Sequence, residues 1–176
     1  MEAAKNALLV HNVRRYFEEN PRAWDVVCAY VESKKLPDGS DPVSLRLIDF
    51  LVRKYAKEKA CKTVDAAGNQ HSIFVEYEQL KMNRHKRRFD AFRRFQKQTV
   101  SFHGKELDTT DGQLAFFAWC LQSGVLDFAH ANRAVIEGAK AEATAAKASE
   151  SDSGTPKHGG GAHQHQQRKR RRQAPA

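Results

Sequence analysis

From Ser149 to Ala176 the chain contains no Val, Ile, Leu, Phe, Tyr or Trp. Whatever core the protein builds must therefore come from residues 1–148. A segment of Ser, Gly, His, Gln and Arg cannot bury enough surface to offset the entropy of ordering it. The first 148 residues suffice for one domain rather than two. Residues 149–176 read as a disordered basic tail that includes Arg168, Lys169, Arg170, Arg171 and Arg172.

Within 1–148 the apolar spacing is that of helices, and the expected fold is mostly α, a single compact helical domain with one short extended piece. Leu9, Val13, Tyr16 and Phe17 share a helical face that stops at Asn20-Pro21. There a second helix begins, with Asn20 as N-cap, Pro21 at the first helical position, and Trp24, Val27, Cys28 and Val31 on its face. Leu36 to Pro42 (LPDGSDP) is a loop, and Asp41-Pro42 is suited to cap the next helix. In that helix Leu45, Ile48, Leu51, Val52 and Tyr55 form an apolar stripe. Thr63 to Gln70 reads as a loop or hairpin turn.

Ile73 to Tyr77 suits helix or strand. Helix from about Ser72 through Arg88 is favoured by the helix formers of QLKMNRHKRR. Thr99 to His103 is the candidate extended piece. Thr110-Asp111-Gly112-Gln113 is a capping box, with Thr110 as N-cap and Gln113 three residues inside. It opens a helix bearing Leu114, Phe117, Ala118 and Leu121, ending at Ser123-Gly124. One last helix is expected from Val125 to about Ala148, with Leu126, Phe128, Ala129, Val135 and Ile136 in the core.

Charge is concentrated. Residues 81–97, KMNRHKRRFDAFRRFQK, hold eight Lys/Arg against Asp90, a net +7. Residues 1–148 as a whole hold 24 Lys/Arg and 19 Asp/Glu, a net +5, so the remainder of the folded part is about −2. A solvated helical face normally mixes signs. Lys81, Arg84, Lys86, Arg87, Arg88, Arg93, Arg94 and Lys97 are therefore the candidate phosphate contacts, on a basic helical stripe that Phe89, Phe92 and Phe95 would anchor. An acidic protein surface is the competing partner, and phenylalanines stacking on single-stranded bases a third possibility. Arg168 to Arg172 add a second contact on a tether, which raises effective concentration rather than sequence readout. They also resemble a nuclear-localisation patch.

Other chemistry finds little support. Cys28, Cys61 and Cys120 lack C-x-x-C spacing, and an odd count suggests a reducing compartment. His158, His163 and His165 in the tail, and Cys61 with His71, are weak metal-ligand patterns, so no metal or cofactor is expected. Glu76 and Glu78 do not share a helical face. No zinc-finger spacing, phosphate loop or basic recognition helix is present. The first residues lack the apolar core of a secretory signal. The longest apolar run, Leu114 to Leu121, is eight residues and too short for a membrane.

Three segments carry a resemblance. SLRLIDFLVRKYAKE (Ser44 to Glu58), KRRFDAFRR (Lys86 to Arg94) and TTDGQLAFFAWCLQSGVLDF (Thr109 to Phe128) cover about a quarter of the chain. They resemble a family of small proteins of nucleocytoplasmic large DNA viruses, whose pattern runs SLRLID, a FDPF-like box, then TT-x-GQL-x-FF-x-W. Ala91 stands where that box has proline. The resemblance implies a viral origin and a non-enzymatic role. It also implies a fixed polar contact at Asp49 and close approach of a neighbour at Gly112.

The expected function is binding of DNA or RNA without sequence preference, in the host nucleus or cytoplasm or packaged in the virion, with no membrane involved. The alternative is a structural virion or capsid-associated protein that contacts other virion proteins or its own copies. An exposed Trp24, Trp119 or phenylalanine patch would favour that alternative, and burial of those residues the first reading.

Overall fold

The structure is a computed structural model that describes residues 2–84 and 88–151. Helix α1 (Glu2–Glu19) gives way to α2 (Pro21–Glu32) at the expected proline. Asn20 stands at the N-cap of α2 as expected, but its side chain makes no cap bond and its amide donates back to the Tyr16 carbonyl at 2.7 Å. Phe17, Trp24, Val27 and Cys28 are buried, with Val13, Tyr16 and Val31 packed at their edge.

Ser44, rather than Asp41-Pro42, caps α3 (Leu45–Phe50), its hydroxyl accepting from the Leu47 N–H at 3.2 Å. The helix then widens into a π-helical turn over Leu51–Tyr55 before closing as α4 (Ala56–Glu58). The wider turn rotates the following residues on the helix surface. Leu47, Ile48, Leu51 and Val52 are all buried, while Leu45 and Tyr55 lie at the core's edge.

Strands β1 (Lys62–Val64) and β2 (Gln70–Ser72) form an antiparallel hairpin, and α5 (Ile73–Arg84) follows it directly. The expected helix through Arg88 is thus corrected: α5 is described to Arg84, and Arg88 is no longer α-helical. His85, Lys86 and Arg87 lie outside the described residues, and 88–97 form no regular helix. The extended piece is longer than expected. Strand β3 (Gln98–Phe102) pairs with β4 (Lys105–Thr109) through a two-residue turn, His103-Gly104, in which both residues have positive φ. That backbone twist suits the right-handed twist of the flanking strands. A lone hairpin is marginal in water, and this one is tied to the helices. The Trp24 indole N–H donates to the Lys105 carbonyl at 3.1 Å, and His103 Nε2 donates to the Phe17 carbonyl at 2.9 Å.

Helix α6 (Asp111–Gln122) is the centre of the molecule, with every residue from Gly112 to Cys120 buried. A helix apolar on all sides has to be wrapped by others, and α1, α2 and α7 pack around it. Gly124 (φ 74°) makes the turn into α7 (Val125–Ala131), where a Cβ would meet the Val64 carbonyl oxygen at 3.1 Å. The expected single last helix is two, because Asn132 separates α7 from α8 (Arg133–Ser151). Leu126, Ala129 and Ile136 are core as expected, whereas Val135 is 61% exposed on the far side of α8. Helix α8 runs past the expected boundary at Ala148. The tail expected from Ser149 otherwise lies outside the described residues, together with His158, His163 and His165. No helix among the described residues is long and apolar enough to cross a membrane.

Candidate nucleic-acid interface

The segment from Arg88 to Lys97 is held down by its own backbone. Phe89, Asp90 and Ala91 are buried. The Asp90 N–H donates to the Gly112 carbonyl at 3.2 Å, and Gln113 Nε2 donates to the Ala91 carbonyl at 2.9 Å. These groups bond to α6 instead of closing helical turns, which is why helix propensity loses here. The basic helical stripe is replaced by two basic residues at the end of α5 and a basic irregular segment after it.

Within that arrangement the candidate contacts divide. Lys81 pairs with Glu78 at 2.6 Å, its ammonium 5.5 Å from the Tyr77 ring centroid. Arg94 makes two bonds to Asp90, at 2.9 and 2.7 Å, and stacks 5.1 Å from the Phe92 centroid. Arg93 donates to the Asp108 carbonyl at 2.9 Å. Lys81 is thus engaged within α5, whereas Arg93 and Arg94 brace the segment and stay exposed. Arg88 and Lys97 are exposed as well. Lys86, Arg87, Arg168, Lys169, Arg170, Arg171 and Arg172 lie outside the described residues.

A groove of about 840 Å³ opens between α1, this segment and the start of α6. Its walls carry His11 and Arg14 from α1, Arg88 and Phe95 from the segment, and Asp111 from α6. A small recess shares Arg88 and Asp111 with the groove and adds Arg84. Arg84 is half-buried, and burial pulls its guanidinium below the ordinary arginine value, with no carboxylate opposing that shift. Its guanidinium lies 5.9 Å from the Phe89 centroid. Arg14 Nη2 donates to Gln98 Oε1 at 2.9 Å and sits 3.4 Å from Asp111 Oδ1. Gln98 Nε2 donates to the same Asp111 oxygen at 2.5 Å. The Arg14 Nε is buried without a hydrogen-bond partner. Of the three guanidinium groups near this cleft, Arg14 is the one that pairs with Asp111, while Arg84 and Arg88 line the recess with it.

Arg14 and His11 were not among the residues singled out by sequence. Their spacing, three apart on a helix, puts them on a common face, but nothing local says that the face meets residues 88–98.

A second polar cluster clamps the β1–β2 hairpin. Asp65 accepts from the Ala67 and Asn69 N–H groups at 2.9 and 2.8 Å and from Asn69 Nδ2 at 3.0 Å. His71 bridges Asp65, at 2.9 Å, and Glu76, whose other oxygen accepts from the Trp119 indole N–H at 3.1 Å. The two imidazole nitrogens face separate carboxylates, and no group of metal-ligand geometry occurs among the described residues. Bonds from Asn69 and His71 hold Asp65 below the usual carboxylate range, while Asp65 and then Glu76 raise His71.

The stabilisation from His71 is fully present below its unfolded value of about 6.5 and is lost as pH rises through the raised folded value. That from Asp65 is present above about pH 3.9 and lost on acidification. Denaturant titrations of the wild type and His71→Gln are expected to diverge most near pH 5.5 and converge toward pH 9. A gap independent of pH would show that the imidazolium contributes nothing.

Asp49 pairs with Arg53 at 3.3 Å. Cys28, Cys61 and Cys120 are buried thiols raised by desolvation, Cys28 to about 11.

No curated protein and no solved structure matches the chain. A family model does, and its span takes in all three pieces that meet at the groove as well as most of the tail. Matched over residues 2–174, the chain belongs to a family of unknown function, DUF7197.

Proposed function

We propose that the protein binds DNA or RNA without sequence preference, with the α1–α6 groove and the exposed basic residues of 88–97 meeting the phosphate backbone. The observation that carries this reading is that Arg14 and Arg88 line the groove and Arg84 and Arg88 the recess beside it, with Asp111 as the one carboxylate in either lining among the described residues. Gathering like charges is unfavourable unless an anion compensates them. Arg168 to Arg172 act as a tethered second contact that raises local concentration.

Trp24 is 0% and Trp119 8% exposed, which favours this reading over a structural virion protein presenting aromatics to partners. The role is binding rather than catalysis. The setting, a DNA virus in the host nucleus or cytoplasm with packaging in the virion, rests on the sequence resemblance.

The test is fluorescence anisotropy of the full chain with a labelled 30-mer duplex and single strand, across a salt series. In Arg84→Gln/Arg88→Gln the affinity near 0.15 M salt is expected to fall about tenfold. The slope of log K against log salt should shrink by about 1.8 on duplex, from about 0.9 per phosphate neutralised. Converting Arg168, Lys169, Arg170, Arg171 and Arg172 to Gln lowers affinity further. An absence of binding at physiological salt in the wild type would sink the nucleic-acid reading and favour the structural one.

A further inference from the structure

We propose that the groove takes an unstacked nucleotide of a single strand, so that the protein prefers single-stranded nucleic acid to duplex, an inference that rests on the nucleic-acid reading above. Three features of the groove, beyond its charge, point to this occupant. The first is shape. A cavity of about 840 Å³ is concave on the scale of sites for small organic ligands. A duplex presents a convex backbone with its bases stacked inside. A flexible strand can turn one base inward.

The second is Phe95. Of the three phenylalanines in the basic segment, Phe89 is buried and Phe92 is half-buried, whereas Phe95 is 37% exposed and lines the groove. An aromatic wall accepts any base, because every base has a π face, so stacking adds affinity without sequence preference. The groove therefore supplies the apolar partner that a purely electrostatic phosphate site lacks.

The third is the polar complement around that ring. Asn6, Gln96 and His11 line the same groove, and amide and imidazole groups can both donate and accept. They can meet the edge of an inserted base whatever its pattern. Arg14 on α1 and Arg88 on the 88–97 segment both line the groove, where the phosphates flanking that base would pass. Asp111 does not dominate the site, because Arg14 and Gln98 both engage its Oδ1.

The experiment compares labelled dT20, rU20 and a 20-base-pair duplex by anisotropy against the full chain, in wild type, Phe95→Leu and Phe95→Trp. The expected result is about tenfold tighter binding of a single strand than of duplex. Phe95→Leu should lose most of that preference through weaker binding of the single strands. Phe95→Trp should keep it and show tryptophan quenching with single strands that duplex does not produce. The ratio of dT20 to rU20 identifies which strand is preferred.

Equal affinity for single strand and duplex, unaltered by Phe95→Leu, would overturn the single-strand inference and leave non-specific nucleic-acid binding standing. A lack of binding to all three would overturn both. Matched thermal unfolding of the Phe95 variants excludes misfolding as the cause of a loss.

Discussion

Phe89→Ala is expected to destabilise the protein by about 3–5 kcal/mol, the usual cost of truncating a core phenylalanine. The side chain is 3% exposed, and its ring centroid lies 5.6 Å from Phe116, 5.7 Å from Trp119 and 5.8 Å from Tyr77. These neighbours belong to α5 and α6, so Phe89 joins the basic segment to the buried helix. Its removal leaves a cavity bounded by rigid aromatic rings, which are poorly placed to collapse into it. Denaturant unfolding should show the loss at an unchanged m-value, and the melting temperature should fall by roughly 10 °C for a domain of this size. Phe92→Ala, at a half-buried site, should cost about half as much. If Phe89→Ala cost under about 1 kcal/mol, the ring would not be a core anchor. Nucleic-acid binding by the variant should also weaken, since Arg84 and Arg88 precede this ring in sequence and help line the recess beside the groove.

The legible parts of this fold are those whose physics is local. Pro21 starts α2 because a proline's fixed φ and missing N–H suit a first helical turn wherever it occurs. Thr110 caps α6 as expected, its hydroxyl accepting from the Gln113 N–H at 3.1 Å. The apolar stripe of α3 is readable, although the π-helical turn over Leu51–Tyr55 is not.

What escaped the sequence is what distant residues decide. Strand β4 reads as a polar segment, because Lys105, Glu106 and Asp108 face solvent and only Leu107 and Thr109 are buried. Helix propensity carried the reading of α5 on to Arg88, but the carbonyl of Gly112 and the amide of Gln113 take the backbone partners that a helix would need. The density of positive charge at 81–97 was plain. Its division into residues that fasten the segment and residues that face a groove depends on Asp90, Glu78 and the Asp108 carbonyl. Arg14 enters the site through Gln98 and Asp111, 84 and 97 positions away.

Gln113 shows how tightly that division is built. It is 1% exposed, and its side chain does not reach back to the Thr110 N–H as a full capping box would. It accepts instead from Thr109 Oγ1 at 2.9 Å and donates to the Ala91 carbonyl at 2.9 Å. Gln113→Leu keeps the approximate volume but strands both partners, and an unsatisfied buried polar group costs about 1–3 kcal/mol. A total loss of roughly 2–4 kcal/mol is therefore expected. Gln113→Glu separates the two bonds. A carboxylate can still accept from Thr109 but offers Ala91 no proton, whereas the carboxylic acid can serve both. Burial favours the neutral form, so the folded-state pKa of the introduced acid lies above its unfolded value of about 4.3. Relative to wild type, Gln113→Glu should be nearly as stable below about pH 4.3 and progressively less stable as pH rises through the folded value. Urea titrations of both proteins at pH 4 and pH 7 measure that difference directly. A penalty for the Glu variant that is equal at the two pH values would mean that the Ala91 bond contributes nothing. Growth of the penalty with pH would identify this buried amide as what keeps the basic segment on α6.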